Sequence, residues 1–522
     1  MINKLFDLFK KNIYIKELYK KKLFIFKKIV VLYIFLRLYK YFKYNYRNIL
    51  IKILYFIPFT RKKIKKELNK SSLLLEDDLD DEYENIKELQ NNSLKVNKVN
   101  EIINKMGKTP DNKLISGVIY YGNKEHNDKL INIMKKFSFT NPLHPDMFPK
   151  IRNMEIDIIN IIKNMYKGGK ECCGNVTYGG TESLLLACLT YRDYYKNKGY
   201  HNPNIVALES VHPAFDKACH YFNIDLIKVP VDKSGTNTTN VIRRYINSNT
   251  ILLVGSAPSY AHGIIDPIKE MSDLAYYYNI GFHVDCCMGG FLIPFLKDYN
   301  FINFKLQGIT SISIDTHKYG YSLKGSSVLL FRNFELKKYQ HFINKSWNGG
   351  VYATPTLMGS KSGALIAATW ASLLFIGKFK YTELALNIQK KIRYITDKFK
   401  NSELEVIGNP NLNIVAFSYP NGNIYKIINE MKNRKWNLTV MQNPSSFHLC
   451  LTNVHTDTIC KKFCEDLNNS LMKVKDNPDK KLEGSLALYG SSQGVKEGLF
   501  INEVIHDFIF LLSQKNISFR HK

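Results

Sequence analysis

From Ile115 onward, apolar and β-branched runs of strand length recur along the chain, at Ile205–Leu208, Ile251–Val254, Ile280–Val284, Ile309–Ile314 and Val328–Phe331. Segments with helical periodicity, such as Ile264–Tyr278, lie between them. Strands that are apolar without alternation have both faces covered, and strands alternating with helices are joined in parallel. The expectation is therefore an α/β domain with a mostly parallel sheet between two helical layers. After about Gly377 the order changes: a long amphipathic stretch, Tyr381–Phe399, precedes short strands around Leu412–Phe417 and Phe447–Leu451, the pattern of a smaller α+β lobe. A chain of 522 residues has room for both, since single cores stop growing near ~250–300 residues.

The amino-terminal segment is of a different kind. Residues 1–70 hold 20 Lys and Arg against 3 acidic residues, more than half the excess in a chain of net charge +28. The remaining positive charge forms no Arg cluster or basic-aromatic stripe, so nucleic-acid binding is not expected. Two apolar runs, Ile29–Leu36 and Ile49–Phe59, lie among these lysines. Neither supplies the ~20 apolar residues of a spanning helix, although flanking Lys and Arg can snorkel. The segment reads as a basic, aromatic membrane anchor, spanning or interfacial, with ordinary amphipathic helices as the alternative. The acidic run EDDLDDEYE (76–84) opens a polar linker. The domain plan is thus 1–70 anchor, 71–110 linker, 111–376 large domain and 377–522 small domain. Nine cysteines, an odd number with two adjacent pairs and no CxxC, point to a reducing compartment and to no metal.

Three strand ends carry the chemistry. In SISIDTHKYGYSLKGSS (311–327) a strand ends at Asp315 and Lys318 follows in a turn. Carboxyl ends of such strands are where open α/β sheets bind ligands, and desolvation there is expected to lower the pKa of the amine, which suits covalent work on a carbonyl. In GFHVDCCMGGF (281–291) Asp285 ends another apolar strand. Its carboxylate needs a cationic partner if buried, and a protonated pyridine nitrogen would serve. In GNVTYGGTES (174–183) strand-like residues run into Gly179-Gly180, after which a helix opens. Glycines admit close backbone approach, and a helix N-terminus favours phosphate. An amine, an acid for a ring nitrogen and a phosphate cradle together specify pyridoxal 5'-phosphate.

With those residues in view, the sequence resembles the sphingosine-1-phosphate lyases, in the group II decarboxylase branch of pyridoxal-phosphate enzymes. The resemblance runs from about Ser116 to Gln493 and rests on SGVIYYG (116–122), NPLHPDMFP (141–149), GGTES with ACLTYRD (179–193), HVDCCMGGF, DTHKYGYSLKGSS, WNGGVYATPT (347–356) and KWNL (435–438). It implies the aspartate-aminotransferase type of fold (fold type I), with a mostly parallel seven-stranded sheet and a smaller C-terminal domain. By the same resemblance Lys318 holds the cofactor covalently, Asp285 meets its pyridinium, His212 stacks on the ring, and Gly180, Thr181, Glu182 and His317 surround its phosphate. Asn141, His144 and Lys324 match the residues that hold the substrate's phosphate. Tyr120 matches an active-site tyrosine, and Tyr260 is a less secure match. Tyr178 and the Cys286-Cys287 pair depart from the usual pattern.

The implied reaction is a retro-aldol cleavage of a phosphorylated long-chain base into phosphoethanolamine and a fatty aldehyde, with Lys318, Tyr120 and the substrate's own phosphate all open as the base. A homodimer, contact with a membrane surface through the N-terminal segment, and an endoplasmic-reticulum location with the catalytic domain facing the cytosol follow as expectations. Two alternatives belong to other classes. An amino-acid decarboxylase would have to bind an α-carboxylate, and an inactive membrane-tethered scaffold would have no use for Lys318, Asp285 and Lys324.

Overall fold

A computed structural model describes residues 93–105 and 113–478, with the single positions 482 and 509. The anchor expected over 1–70, and the linker 71–110 apart from 93–105, lie outside the described residues. The chain divides into two compact units, one of residues 1–111 with 482–522 and one of residues 112–481. Helix α1 (Val96–Lys105) belongs to the first unit.

The second unit begins with α2 (Lys124–Phe137) and α3 (Pro149–Met165). There follow β1 (Cys173–Thr177), α4 (Gly180–Lys196), β2 (Asn204–Leu208), α5 (Ala214–Phe222), β3 (Asp225–Val229), the single turn α6 (Thr239–Arg243), β4 (Thr250–Ser256), α7 (Ile268–Tyr278), β5 (Gly281–Asp285), β6 (Ser311–Ile314) and β7 (Ser327–Phe331). These strands form one seven-stranded sheet in the order β1-β7-β6-β5-β4-β2-β3. All pairs are parallel except those made by β7, which runs antiparallel to β6 and to β1.

Every residue of β2, β4, β5, β6 and β7 is buried, as runs such as NIVAL and SVLLF require. One face packs under α4 and α5, where Leu184, Leu186, Phe215, Ile205, Leu252, Val254 and Phe331 form a continuous core. Burying each such side chain contributes about 1.5–3 kcal/mol. On the other face α3 packs against β1 and β7.

Register places the chemistry. Ser256 pairs with Asp285 and Asp285 with Ser313, so β4, β5 and β6 end at one level. Because β7 is reversed, its first residue, Ser327, lies opposite Thr177 at the end of β1. A hydroxyl chain ties this edge together: Thr177 Oγ1 to Ser183 Oγ (2.6 Å), Ser183 Oγ to Ser327 Oγ (3.0 Å), and Ser327 Oγ to the Ile314 carbonyl (3.1 Å).

After the short α8 (Phe334–Lys337) comes a two-stranded hairpin, β8 (Phe342–Asn344) with β9 (Tyr352–Thr354). Helix α9 (Gly363–Phe399) runs 37 residues and is broken at Gly377, whose φ of 67° and ψ of 165° leave helical geometry. Glycine adopts that positive φ without a Cβ penalty. Among the described residues α9 alone has the length and composition to cross a membrane, but its apolar window is mostly buried in the protein core.

The last described elements of this unit are β10 (Glu405–Val406), β11 (Ile414–Ser418), α10 (Ile424–Asn433), β12 (Thr439–Met441), β13 (Ser446–Cys450) and α11 (Asp457–Asp476). Its four strands form an antiparallel sheet in the order β10-β11-β13-β12. Phe417, Phe447, Phe463 and Trp436 fill the space beneath it.

Candidate active site

The turn after β6 sets the centre of the site. Lys318 Nζ lies 2.8 Å from Asp315 Oδ2, an i,i+3 pair that the turn imposes. His317 Nε2 is 3.8 Å from the same oxygen, and His317 Nδ1 contacts the Ser326 carbonyl. Burial alone would lower the pKa of Lys318, but the Asp315 carboxylate overrides it and holds the amine well above the ordinary lysine value. Burial pushes the Asp315 carboxyl up, yet Lys318 and His317 bring it below the usual range. The sequence-based expectation of a lowered lysine is thus overturned, and the reason is a neighbour read only as a strand end. Asp315 Oδ1 is buried with no hydrogen-bond partner.

At the end of the adjacent strand, Asp285 accepts from the Cys287 amide (3.0 Å) and the Ser313 hydroxyl (3.3 Å). His212 sits just before α5, with Nδ1 accepting from the Ala214 amide at 3.1 Å. Burial lowers its pKa, while the charges of Asp285 and Lys318 act on it in opposite directions. The Cys287 thiol, raised first by burial, also feels Asp285, Asp315 and Lys318. His212 and Cys287 each feel both Lys318 and Asp285, so the two groups share these side chains as neighbours.

The glycine turn closes a third side. Gly179 has φ 97°, and a Cβ on it would come within 3.5 Å of His317. A Cβ on Gly180 would lie 2.9 Å from both Asp315 oxygens and from Cys287 Sγ. Only glycine lets the start of α4 approach the lysine turn this closely. Thr181 is exposed at the mouth. Glu182 is buried and spends both oxygens on backbone amides, Oε2 on Tyr178 (2.6 Å) and Oε1 on Leu357 (3.1 Å), which makes it the brace of this loop. The Tyr178 hydroxyl accepts from the Ser362 amide, which accounts for a large residue beside the glycines. The donor set fits pyridoxal phosphate: an amine, a carboxylate on the adjacent strand end, an imidazole near both, and a helix start at which a Cβ would crowd Asp315 and Cys287.

Tyr120, Lys324 and Cys450 line the remaining side. Lys324 Nζ is 4.5 Å from the centroid of the Tyr120 ring, a cation–π contact. Burial, with the like charge of Lys318, lowers the pKa of Lys324. Burial keeps the Tyr120 phenol protonated far into the alkaline range, and its hydroxyl reaches Met288 Sδ at 4.0 Å. Burial pushes the Cys450 thiol up to about 11, with Lys318 and Lys324 opposing. Tyr260 is 42% exposed, with its ring 6.3 Å from that of His212.

Asn141 is engaged elsewhere, accepting from the Leu143 (3.1 Å) and Lys361 (3.2 Å) amides and donating to Ser360 Oγ (3.2 Å). His144 is exposed on the same turn. The lysine turn, Asp285, His212, the glycine turn, Tyr120 and Lys324 are thus gathered, whereas the contacts of Asn141 are with the segment leading into α9. Asp315 and Cys450 were missed by sequence reasoning. The spacing of Asp315 three residues before the lysine could have revealed it; nothing local marks Cys450. All nine cysteines are free, and among the described residues no cluster of three or more His, Cys, Asp or Glu could hold a metal ion.

Residues 132–420 match the family model described as the pyridoxal-dependent decarboxylase conserved domain. The chain is 37% identical over 480 residues to sphingosine-1-phosphate lyase 1 of Rattus norvegicus, covering 89% of this chain and 84% of the relative. It is 34% identical over 479 residues to the sphingosine-1-phosphate lyase of Saccharomyces cerevisiae, covering 87% and 80%. Among solved structures, a Burkholderia pseudomallei sphingosine-1-phosphate lyase aligns with a TM-score of 0.73 at 33% identity, covering 76% of this chain and 95% of that one. A glutamate decarboxylase of Lactobacillus brevis shares the fold, with a TM-score of 0.67 at 20% identity over 77% of this chain and 97% of its own.

Proposed function

Because the chain belongs to the sphingosine-1-phosphate lyases, within the pyridoxal-dependent decarboxylase family, we propose that the space between Lys318 and Asp285 is where it works on its substrate. The protein is a pyridoxal-phosphate-dependent carbon–carbon lyase that cleaves phosphorylated sphingoid bases to phosphoethanolamine and a long-chain aldehyde. What supports the placement most directly is that one amine and one buried carboxylate, on neighbouring strand ends, share His212 and Cys287 as neighbours.

In this reading Lys318 takes the cofactor, Asp285 faces its pyridine nitrogen, His212 covers one face of the ring, and the Gly179-Gly180 turn at the start of α4, with Thr181 and His317, holds its phosphate. Glu182 acts on that phosphate through the loop it braces. When bound, pyridoxal phosphate supplies an electron sink for the pair released as the C2–C3 bond breaks. Lys324 offers an ammonium to the substrate's phosphate dianion, whereas the Asn141 amide is held by Ser360, Leu143 and Lys361 on the turn that also carries His144. Tyr120, held as a neutral phenol by burial, suits donating a hydrogen bond rather than removing a proton. The proton of the substrate's C3 hydroxyl then passes to Lys318 or to the substrate's own phosphate.

A lipid with a charged head concentrates at bilayers, so the basic segment 1–70 serves to hold the enzyme at an anionic membrane, at the endoplasmic reticulum with its catalytic unit toward the cytosol. The active form is a homodimer. Incubating the full chain with sphingosine phosphate and pyridoxal phosphate tests the reading. Phosphoethanolamine and aldehyde are expected to form, and Lys318→Ala to abolish both. Carbon dioxide release from aromatic or acidic amino acids, without aldehyde from the lipid, would replace it with a decarboxylase.

A further inference from the structure

His448 lies in the middle of β13, an inner strand of the small sheet, paired with Ala416 on one side and Thr439 on the other. It is completely buried. Its Nδ1 is 2.9 Å from the carbonyl oxygen of Ala261, and its ring meets that of Tyr260 edge-on, with centroids 5.0 Å apart at 82°. Nε2 has no partner, and nearby His262, also buried, has none on either nitrogen. Side chains alternate along a strand, so His448 faces away from its neighbours Phe447 and Leu449 and toward the loop that follows β4. The one hydrogen bond of this imidazole is therefore the one made at Nδ1.

What it holds is the loop 257–263 that follows β4. This loop is pressed against the small sheet, since a Cβ on Gly263 would lie 2.4 Å from the Ile414 carbonyl oxygen. Within the loop the Gly263 amide donates to the Ser259 carbonyl at 3.0 Å. Tyr260, at the loop tip, turns its ring toward His212 at 6.3 Å, and its hydroxyl is close enough to raise the pKa of Tyr120. Burial pushes His448 down to about 4, so it is neutral at physiological pH and can donate from Nδ1 to the Ala261 carbonyl.

We propose that His448 is a positioning residue of the active site: it fixes the 257–263 loop through the Ala261 carbonyl and the edge of Tyr260, and so sets that phenol over the substrate beside His212 and Tyr120. The inference rests on the lyase reading for its catalytic consequence but not for the contact itself. Through His448 a strand of the small sheet reaches the large domain's chemistry.

The experiment uses the full chain with pyridoxal phosphate and sphinganine phosphate, and compares His448→Leu, His448→Asn and Tyr260→Ala. His448→Leu is expected to lower kcat about 10- to 100-fold while KM and cofactor affinity change less than about threefold, as for a misplaced rather than a missing group. His448→Asn, whose amide can donate to the same carbonyl, is expected to recover most of the loss. In a Tyr260→Ala background, His448→Leu is expected to cost nothing more. Hydrogen exchange of the loop amides in cofactor-free protein supplies a second reading: the Gly263 amide exchanges faster in His448→Leu and at the wild-type rate in His448→Asn. Unchanged exchange in His448→Leu, no rescue by Asn, or a loss fully additive with Tyr260→Ala overturns the proposal. Should the wild-type chain make no aldehyde, the lyase reading fails while the exchange measurement still decides what His448 holds.

Discussion

Asp315 and Lys318 make each other's protonation state. The carboxylate at 2.8 Å favours the charged amine, although a nucleophilic amine must first lose that proton. Asp315→Asn removes the charge that raises the lysine and leaves the burial that lowers it. The neutral amine is then available at lower pH, and cofactor-free Asp315→Asn is expected to capture pyridoxal phosphate at least about tenfold faster near pH 7.5, one pKa unit being a factor of ten. Growth of the bound cofactor's visible absorbance across pH measures this, and a profile identical to wild type would count against it. The residues themselves were legible: an amine and an acid at successive strand ends are visible in DTHK and HVDCC. The sign of the lysine's shift was not, because it depends on a side chain three residues away turning back on the amine.

At the scale of elements, strand positions could be read from apolar runs because these strands are buried on both faces. Ile251–Val254 grew to Thr250–Ser256 in the structure, and Ile309–Ile314 shortened to Ser311–Ile314. Strand β3, with only Val229 buried, carries no such run and went unread. Helix α7 begins at Ile268 rather than Ile264 because Pro267 marks its start and Asp266 is drawn back to β4. Asp266 Oδ2 accepts from the Ser256 amide at 2.7 Å, while Oδ1 is buried and unpartnered. Burial, reinforced by Asp285, pushes this carboxyl up to about 7.

An acid raised in the folded state holds its proton there after the unfolded chain has lost it, so it makes stability fall as pH rises between about 4 and 7. Asp266→Asn is expected to stabilise the fold at pH 8 by at most a few kcal/mol, about 1.4 per pKa unit, and so to raise the melting temperature there, while changing little at pH 4. Calorimetry at the two pH values checks the direction, and equal effects at both would exclude the mechanism. Gly180→Ala should act oppositely. Its Cβ, 2.9 Å from Asp315 and Cys287, has no space, so about 1–3 kcal/mol of stability and most of the affinity for pyridoxal phosphate should be lost together.

On the scale of the whole molecule, the hairpin β8–β9 has no evident use within one chain. Ile343, Trp347 and Val351 on it, and Leu357 and Met358 beyond it, are exposed at 57%, 57%, 74%, 46% and 51%. Clustered apolar exposure of this kind marks an interface. The segment is also tied to the cofactor loop, because the Leu357 amide donates to Glu182 Oε1 at 3.1 Å and Glu182 in turn holds Tyr178 beside the glycines. A second copy covering the hairpin would therefore stiffen the glycine turn from outside, and the catalytic centre would depend on assembly without a change in any residue that touches substrate. The consequence is concentration dependence. Specific activity should be constant while the dimer persists and fall as dilution passes its dissociation constant. Trp347→Asp, which places a charge in the apolar patch, should move that fall to higher concentration by about tenfold or more, the equivalent of one lost interface anchor. Mass photometry and activity measured on the same dilution series decide the matter, since wild-type turnover that survives unchanged in a population shown to be monomeric is incompatible with a site completed by a second copy.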